Sequence, residues 1–516
     1  MQNLRIWKYL SLPWMVIALF FFISFIFLAF FKGTQIEYLT NDYLLGLFKN
    51  TFILSFLTAF ISALIAVPLA ILVTFYDFPG KKFFSWGLSL SIAFPAYVYA
   101  FIYVGIFEYS SPISTYLRDF DITFPSIKNL FGASIILSMA LFPYIYLLLR
   151  VKLASVGLDL FRAAKSLGNN NTASIFKVII PSLFPVIVAG MTLVVFETIA
   201  DFGGVSTLRI ETFTVGIYNA WFGYQSYFSA ARLAGYLLVF VFIIIFIAKF
   251  YEGKQNTLAQ KTSEVFEGIK LVPYKSFLAT LYCSTIFTIV FLIPLGQLLI
   301  WSYAENNFLS IENIHLVFNS LALGVIVSMI TVFFGIALAL AYRNDKKLRL
   351  IISVSTSGYA IPGSVISAGL LVSIGYFFGV SITSFGIVGL VLCLSLRFMT
   401  LAYNYLSASL VNIKDSSEKA LSTYSKDSMR AFKYFYLPHM KSATYLGLMI
   451  VFIESVKEQP ATLLLRPVGF DTLSTKIYNF TSEGQWIMAS NPSLMLVFLS
   501  LIFVYMINKS INENKS

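Results

Sequence analysis

Residues 161–185 read FRAAKSLGNNNTASIFKVIIPSLFP, and a second segment of the same kind, residues 418–440, reads EKALSTYSKDSMRAFKYFYLPHM. Aligned on their prolines, the two segments pair three positions across 257 residues: Pro181 with Pro438, Ala163 with Ala420, and Gly168 with Ser425. Each segment is basic and amphipathic and lies between long apolar runs, which predicts a short helix outside the bilayer. A membrane protein that presents this helix twice is expected to bind a partner that has two equivalent binding sites.

Composition places the chain among polytopic membrane proteins. It is 58% hydrophobic and only 12% charged, about half the charged share of a soluble domain. A bilayer-spanning helix needs about 20 apolar residues. Charge-free runs of that length lie at Tyr9–Phe31, Asn50–Tyr76, Phe83–Phe107, Asn129–Leu149, Ser276–Ala304, Asn313–Tyr342 and Gly484–Ile507. Two spans within Leu350–Leu396, and others at Val178–Gly203, Leu233–Ala248 and around Met449, bring the predicted total to twelve.

Basic residues predict the orientation. Lys and Arg are concentrated in alternate loops, at 150–177, 249–275, 343–349 and 414–441. By the positive-inside rule, both termini and both copies of the repeated segment are expected in the cytoplasm. Topology and anionic lipid account for the net charge of +12, so nucleic acid is not an expected partner.

The chain divides into two similar halves. A polar stretch at 251–275 predicts a cytoplasmic linker between a first half, 1–250, and a second half, 276–516. Further landmarks recur in order: Asn50-Thr51 with Asn319-Ser320, Pro95 with Pro362, Glu197 with Glu454, and Asp201 with Glu458. Six spans in each half make the repeats parallel, related by an axis along the membrane normal. The predicted fold is an all-α polytopic protein of two six-helix halves related by a pseudo-twofold axis.

The spacing Ala-Ala-x3-Gly-x9-Val-Ile-Ile-Pro in the first copy resembles the cytoplasmic EAA loop of ABC-importer permeases. In that family a short coupling helix within this loop docks on a separate ATPase subunit. The family's leading Glu is replaced by Arg162 and Lys419, although Glu418 is adjacent, and Leu421 and Ser425 depart from the pattern. The positions that the resemblance assigns to ATPase coupling are Arg162, Ala163, Ala164, Gly168, Pro181, Lys419, Ala420, Ser425 and Pro438.

Two further stretches, 197–221 and 458–473, resemble the two halves of fused ferric-iron permeases. The resemblance implies a type I importer fold in a bacterial inner membrane. It also implies two copies of an ABC ATPase on the cytoplasmic side and a substrate-binding protein on the outer side. Thiamine or a polyamine remains an alternative substrate. An ion-gradient-driven secondary transporter remains an alternative of another class.

The sequence offers no nucleotide or metal site of its own. The only Gly-Lys pairs, Gly80-Lys81 and Gly253-Lys254, lack the remaining residues of a phosphate-binding P-loop. Cys283 and Cys393 lie in apolar runs, and the chain has only two histidines. We therefore expect a non-enzymatic transport subunit that binds no cofactor, with ATP used by the partner ATPase.

Ionisable residues at membrane depth mark a candidate path. Such groups are costly in a bilayer and usually face a polar cavity or a partner. The candidates for the translocation path are Glu197, Asp201, Arg397, Glu454 and Glu458. Carboxylate oxygens suit a hard cation such as Fe(III). The alternative interpretation is structural: the acids bond backbone groups at broken helices or pair with Lys457 or Arg466, and Arg397 neutralises Glu454 or Glu458.

Overall fold

The computed structural model consists of membrane-length helices joined by short helices. It describes residues 5–31, 39–153, 158–252, 268–380, 386–411, 413–424 and 427–513. Most of the predicted linker, residues 253–267, lies outside the described residues, as does Ser425.

Twelve helices precede the linker. They are α1 (Arg5–Phe31), α2 (Asn41–Phe75), α3 (Lys81–Gly87), α4 (Ala96–Phe107), α5 (Pro112–Arg118), α6 (Leu130–Lys152), α7 (Leu158–Ser166), α8 (Asn171–Ala173), α9 (Ile180–Ala200), α10 (Gly203–Thr207), α11 (Phe213–Tyr218) and α12 (Tyr227–Glu252). Single 3-10 and π turns extend some of them, at Leu88–Ala93, Ser174–Ile179 and Asn219–Gly223.

Twelve more follow the linker. They are α13 (Pro273–Phe287), α14 (Ile293–Glu305), α15 (Ile311–Asn344), α16 (Arg349–Ser355), α17 (Gly363–Phe378), α18 (Ile387–Val411), α19 (Asp415–Tyr424), α20 (Ser428–Ala431), α21 (Leu437–Lys457), α22 (Pro460–Leu465), α23 (Leu473–Ser482) and α24 (Trp486–Glu513). The 3-10 and π turns here are Thr288–Leu292, Lys346–Leu348, Gly358–Ala360 and Phe432–Tyr436. Two short parallel strands, β1 (Tyr76–Asp77) and β2 (Ile269–Lys270), pair Tyr76 with Ile269 and Asp77 with Lys270.

The described helices agree with a polytopic membrane protein. Nine are long and apolar enough to cross a bilayer, and two bent helix pairs raise the number to eleven. The remaining predicted span, around Met449, is α21, which has 21 residues and lower hydropathy than its counterpart α9. The predicted all-α, polytopic fold is confirmed.

Two predicted spans are sharply bent. Phe83–Phe107 breaks between α3 and α4 with an angle of 89°, and the corresponding pair α16 and α17 breaks with an angle of 118°. Phe94 and Ile361, just before Pro95 and Pro362, have extended backbone angles. Proline disfavours the helical conformation in the residue before it, which explains both breaks. The span predicted over Phe83–Phe107 is thus present as a bent pair, and the bend itself is a feature that the sequence did not predict.

Element order repeats between the halves. α9 and α21 begin and end 257 residues apart, and a π turn precedes each. Two short helices follow each of them, α10 and α11 in the first half and α22 and α23 in the second. A long last helix, α12 or α24, completes each half.

The first span of each half packs against the other half. α1 contacts α15, α16 and α17, while α14 contacts α4. Gly369 on α17 makes this approach possible, because a Cβ there would lie 2.9 Å from ring atoms of Phe21 and Phe25. Gly105 on α4 has the same role towards Trp301 of α14. The halves are therefore interlocked.

Candidate functional site

The first docking segment, residues 161–181, begins on α7. Phe161 is buried, and its ring centroid lies 5.2 Å from that of Phe75 at the end of α2. Ala164 is also buried, whereas Arg162 and Ala163 are exposed. One face of α7 is thus fixed to the bundle, and the opposite face presents a small residue and a basic residue outward.

α7 ends at a residue whose backbone has the left-handed conformation. Gly168 has φ +85°, and its N–H bonds to the carbonyl of Lys165. Glycine adopts this conformation without the steric cost that a side chain brings. Asn170 then caps α8 by accepting a hydrogen bond from the Ala173 N–H at 2.7 Å. Pro181 lies in the first turn of α9, where the missing N–H costs nothing.

The second docking segment, residues 418–438, has the same layout on α19, α20 and α21. Ala420 is exposed, like Ala163, and Leu421 is half-buried at the position of Ala164. Lys419 lies on α19. Asp427 caps α20 through the Met429 N–H at 2.9 Å, and Pro438 lies in the first turn of α21.

Glu418 points into the protein and not towards a partner. The residue is 3% exposed, and its Oε1 accepts hydrogen bonds from Arg343 Nε at 2.6 Å and from the Tyr436 hydroxyl at 3.0 Å. The Arg343 guanidinium also donates to the carbonyls of Leu410 and Ile413 at 2.6 and 2.7 Å. The sequence did not single out Arg343, which lies 75 residues from Glu418, or Tyr436, which belongs to the repeated segment but is separated from Glu418 by 18 residues.

Asn50 and Asn319 make the same contact in the two halves. Each side-chain amide donates to a backbone carbonyl at 2.9 Å, Asn50 to Glu211 and Asn319 to Asp471. The next residues, Thr51 and Ser320, accept hydrogen bonds from the first N–H groups of α11 and α23. These polar pairs, which the sequence identified only as landmarks, hold the segment after the docking helix against the second span of each half.

A cavity of about 110 Å³ lies where α9 and α21 end. All five residues that the sequence assigned to a candidate path line it, together with residues of the first bent pair, among them Ile92, Pro95 and Tyr97. The polar and aromatic lining includes Tyr97, Tyr144, Glu197, Asp201, Phe202, Arg397, Glu454, Lys457, Glu458 and Gln459. Because α9 and α21 run from the docking segments to this cavity, both segments lie on the same side of it.

Two of the acids cap short helices. Asp201 Oδ2 accepts the Val205 N–H of α10 at 2.9 Å. Glu458 accepts the Ala461 N–H of α22 at 3.1 Å and pairs with Arg397 Nη1 at 2.6 Å. Arg397 therefore neutralises one of the two partners that the sequence suggested, and these acids have the structural contacts expected at broken helices.

Lys457 and Arg466 do not pair with the cavity carboxylates as the structural interpretation suggested. Lys457 Nζ donates to the carbonyl of Ile92 at 2.7 Å, and Arg466 pairs with Asp471. Ile92 belongs to the bent pair of the other half, a long-range contact that no local pattern indicates.

Glu197 also makes a contact between the halves. Its Oε1 accepts a hydrogen bond of 2.5 Å from the hydroxyl of Tyr359. Tyr359 lies three residues before Pro362, and Ile92 lies three residues before Pro95. The bend of each half therefore reaches the post-docking helix of the opposite half. The recurring Pro95 and Pro362 were the available signal for these contacts.

An aromatic cluster adjoins the cavity on the side away from the docking segments. Phe202 lines the cavity, and its ring centroid lies 4.7 Å from Tyr218 and 5.1 Å from Tyr478. Tyr218 comes from the first half and Tyr478 from the second. Movement of one half relative to the other would therefore separate these rings.

The cavity carboxylates do not form a protein metal centre. Within the described ranges, no three His, Cys, Asp or Glu side chains are placed to hold one ion. Glu197 and Glu454 retain oxygen atoms next to the cavity, beside Tyr144. The arrangement can interact with a passing polar group or cation through carboxylate and phenol oxygens.

Comparison with known proteins agrees with the resemblance seen in the repeated segment. Residues 63–264, which include the first docking segment, match the family described as "binding-protein-dependent transport system inner membrane component". This part of the chain therefore matches a permease domain, and the described helices are those of a multi-pass membrane protein. The resemblance predicted from the repeated segment is confirmed.

Individual relatives extend this similarity. The chain is 26% identical over 489 residues to the Fe(3+)-transport system permease protein FbpB 2 of Haemophilus influenzae, covering 92% of each chain. It is 25% identical over 311 residues to the ferric transport system permease protein FbpB of Actinobacillus pleuropneumoniae, covering 53% of this chain and 44% of that protein. The sulfate transport system permease protein CysT of Escherichia coli K12 is 25% identical over 169 residues, covering 33% of this chain and 60% of that protein.

Proposed function

We propose that this chain is the membrane-spanning permease of an ATP-driven importer of ferric iron. The observation that carries the proposal is the pair of docking segments, each followed by one continuous helix that ends at the central cavity. The first half covers 1–250, the linker 251–275 and the second half 276–516. A binding protein delivers the substrate on the outer side, and two ATPases engage the docking segments.

The exposed faces of the docking segments suit a helix that enters a socket on another protein. Ala163 and Ala420 are both exposed, and a small side chain permits a partner surface to approach closely. Buried side chains on the opposite faces, Phe161 and Glu418, fix these helices to the bundle. A displacement of either helix therefore acts on the bundle directly.

The path from the docking segments to the cavity supports alternating access. α9 reaches Glu197, which bonds Tyr359 of the other half, and α21 reaches Lys457, which bonds the Ile92 carbonyl. Tilting α9 and α21 apart changes both contacts and the aromatic closure. The docking segments and both termini face the cytoplasm in this scheme, in agreement with the excess of basic residues in those loops.

Two observations favour ferric iron over the substrates of related permeases. The relative aligned along 92% of both chains has Fe(3+) transport in its name, whereas the sulfate permease aligns with only a third of this chain. The cavity also offers carboxylate and phenol oxygens, which are ligands of hard cations.

Uptake into inverted and right-side-out proteoliposomes tests the proposal. The purified chain is combined with the ATPase and the binding protein, and each component is omitted in turn. Radiolabelled Fe(III) should accumulate in right-side-out vesicles only when both proteins and internal ATP are present. Uptake driven by an ion gradient without the ATPase would instead identify a secondary transporter. ATP-dependent uptake of thiamine or a polyamine, but not of Fe(III), would refute ferric iron as the substrate and leave the proposal of an ATP-driven importer standing.

A further inference from the structure

The two docking helices are attached to the bundle by different chemistry at equivalent positions. In the second half the attachment is the polar anchor, made of Arg343, Glu418 and Tyr436. The equivalent residues of the first half, at the spacings set by Asn50 with Asn319 and Pro181 with Pro438, are Thr74, Phe161 and Ile179. These three cannot form an ion pair, and Phe161 instead packs against Phe75.

The polar anchor joins α19 to the ends of three long helices. Arg343 is near the end of α15, its carbonyl partner Leu410 is at the end of α18, and Tyr436 immediately precedes α21. Oε1 of Glu418 is the shared acceptor for Arg343 and Tyr436. Without this carboxylate, α19 loses its described polar contacts with α15 and with the start of α21.

The polar anchor is buried, and its hydrogen bonds have a fixed donor–acceptor geometry that restricts the movement of α19. The side chain of Glu418 is 1% exposed and that of Arg343 is 17% exposed. Charge-assisted hydrogen bonds are shorter and stronger than neutral ones, and removal of Glu418 takes away the carboxylate partner of Arg343. An aromatic contact such as Phe161 with Phe75 has no fixed donor–acceptor direction and permits sliding.

We propose that Glu418 is the positioning residue of the second docking segment, because it locks α19 to α15, α18 and α21 so that this half responds to its ATPase as one body. The first docking segment has the apolar contact of Phe161 with Phe75 at the equivalent position, and we expect it to move more freely. The inference rests on the proposed function, since it assigns a coupling role to a segment proposed to bind an ATPase.

The variant Glu418→Gln tests this positioning role, because glutamine has nearly the same shape as glutamate but carries no charge. Two quantities are measured on the full chain: amide hydrogen exchange of α19 without partners, and Fe(III) transported per ATP hydrolysed in the reconstituted complex. We expect exchange in residues 415–424 to accelerate about tenfold, with α7 unchanged. Transport per ATP should fall several-fold while the ATPase still binds.

Phe161→Leu is the matched control at the equivalent position of the first half. It should alter exchange in α7 and leave α19 unchanged. In an Arg343→Gln background, Glu418→Gln should add little, because the partner through which it acts has already been removed. If Glu418→Gln does not fold, Tyr436→Phe takes its place, with a smaller acceleration of α19 exchange expected.

Unchanged α19 exchange and unchanged transport per ATP in either folded variant would overturn the proposal. So would an equal loss of protection in α7 and α19, since that indicates general destabilisation. If the wild-type complex shows no ATPase-dependent uptake, the proposed function fails. If the wild-type complex does show this uptake, faster α19 exchange with unchanged transport per ATP would refute the coupling role and leave Glu418 a structural residue only.

Discussion

Tyr359 of the second half donates a hydrogen bond of 2.5 Å to Glu197 of the first half, beside the central cavity. It connects the bend before α17 to the helix that starts at the first docking segment. Together with the bond from Lys457 to the Ile92 carbonyl, it ties each post-docking helix to the opposite half. Movements at the docking segments therefore act on contacts between the halves.

Tyr359→Phe should reduce transport while leaving the protein folded. The variant loses one hydrogen bond to a carboxylate, a contribution of about 1.5–3 kcal/mol, and keeps the ring. Substrate uptake in vesicles is the measurement, with thermal unfolding as a check on folding. Tyr303→Phe is the control, since Tyr303 is exposed on α14 and does not line the cavity. Equal effects of the two variants would contradict a specific role for the Glu197 contact.

Arg397→Met should strongly destabilise the protein. It leaves Glu458 buried without its cation, which typically costs about 3–5 kcal/mol. The double variant Arg397→Met with Glu458→Gln should recover much of this loss, because no buried charge remains. Thermal unfolding in detergent checks both. A double variant no more stable than Arg397→Met would show that the ion pair is not the reason for the loss.

Asn50→Ala and Asn319→Ala should weaken the two halves to a similar degree. Each removes a donor from a backbone carbonyl, and we expect a loss of about 1–3 kcal/mol in each case. Chemical unfolding measures the free energy, and Asn404→Ala, an exposed position on α18, serves as the control. A large loss of stability from one of these substitutions and none from the other would argue against equivalent roles for the Asn50 and Asn319 hydrogen bonds.

Gly369→Val should disturb the docking of α1 on the second half. The added side chain meets Phe21 and Phe25 at distances that real Cβ atoms do not adopt, and overpacking of this kind costs about 1–3 kcal/mol. Gly375→Val on the same helix is the matched control, since a Cβ there meets nothing within 4 Å. Comparable melting temperatures for both variants would refute the close approach.

Local patterns predict the helical architecture and the repeats well, because the length of an apolar run and the spacing of prolines can be read directly from the sequence. Pro95 and Pro362 were recognised as a matched pair, although their effect, a sharp bend in each half, was not. Asn50 and Asn319 were likewise recognised without their acceptors. Their partners are separated from them by more than 150 residues, a distance over which no periodicity carries information.

Side-chain pairing was the least predictable feature of the site. The acids and Arg397 were expected to share a region because ionisable groups in a bilayer avoid lipid, and they line one cavity. Which cation meets which acid depends on the angle between helices, so Lys457 and Arg466 were paired incorrectly. Tyr359 and Arg343 were missed because a single tyrosine or a loop arginine is common in such a chain.

The number of ATPase subunits bound per chain tests the central claim most directly. Native mass spectrometry of the purified complex should show two ATPase copies on the wild-type chain. Introducing a bulky residue at both exposed alanines, Ala163→Trp and Ala420→Trp, should abolish binding, while Ala220→Gly, a buried change away from both segments, should retain two copies. Two ATPases still bound to the doubly substituted chain would contradict the account.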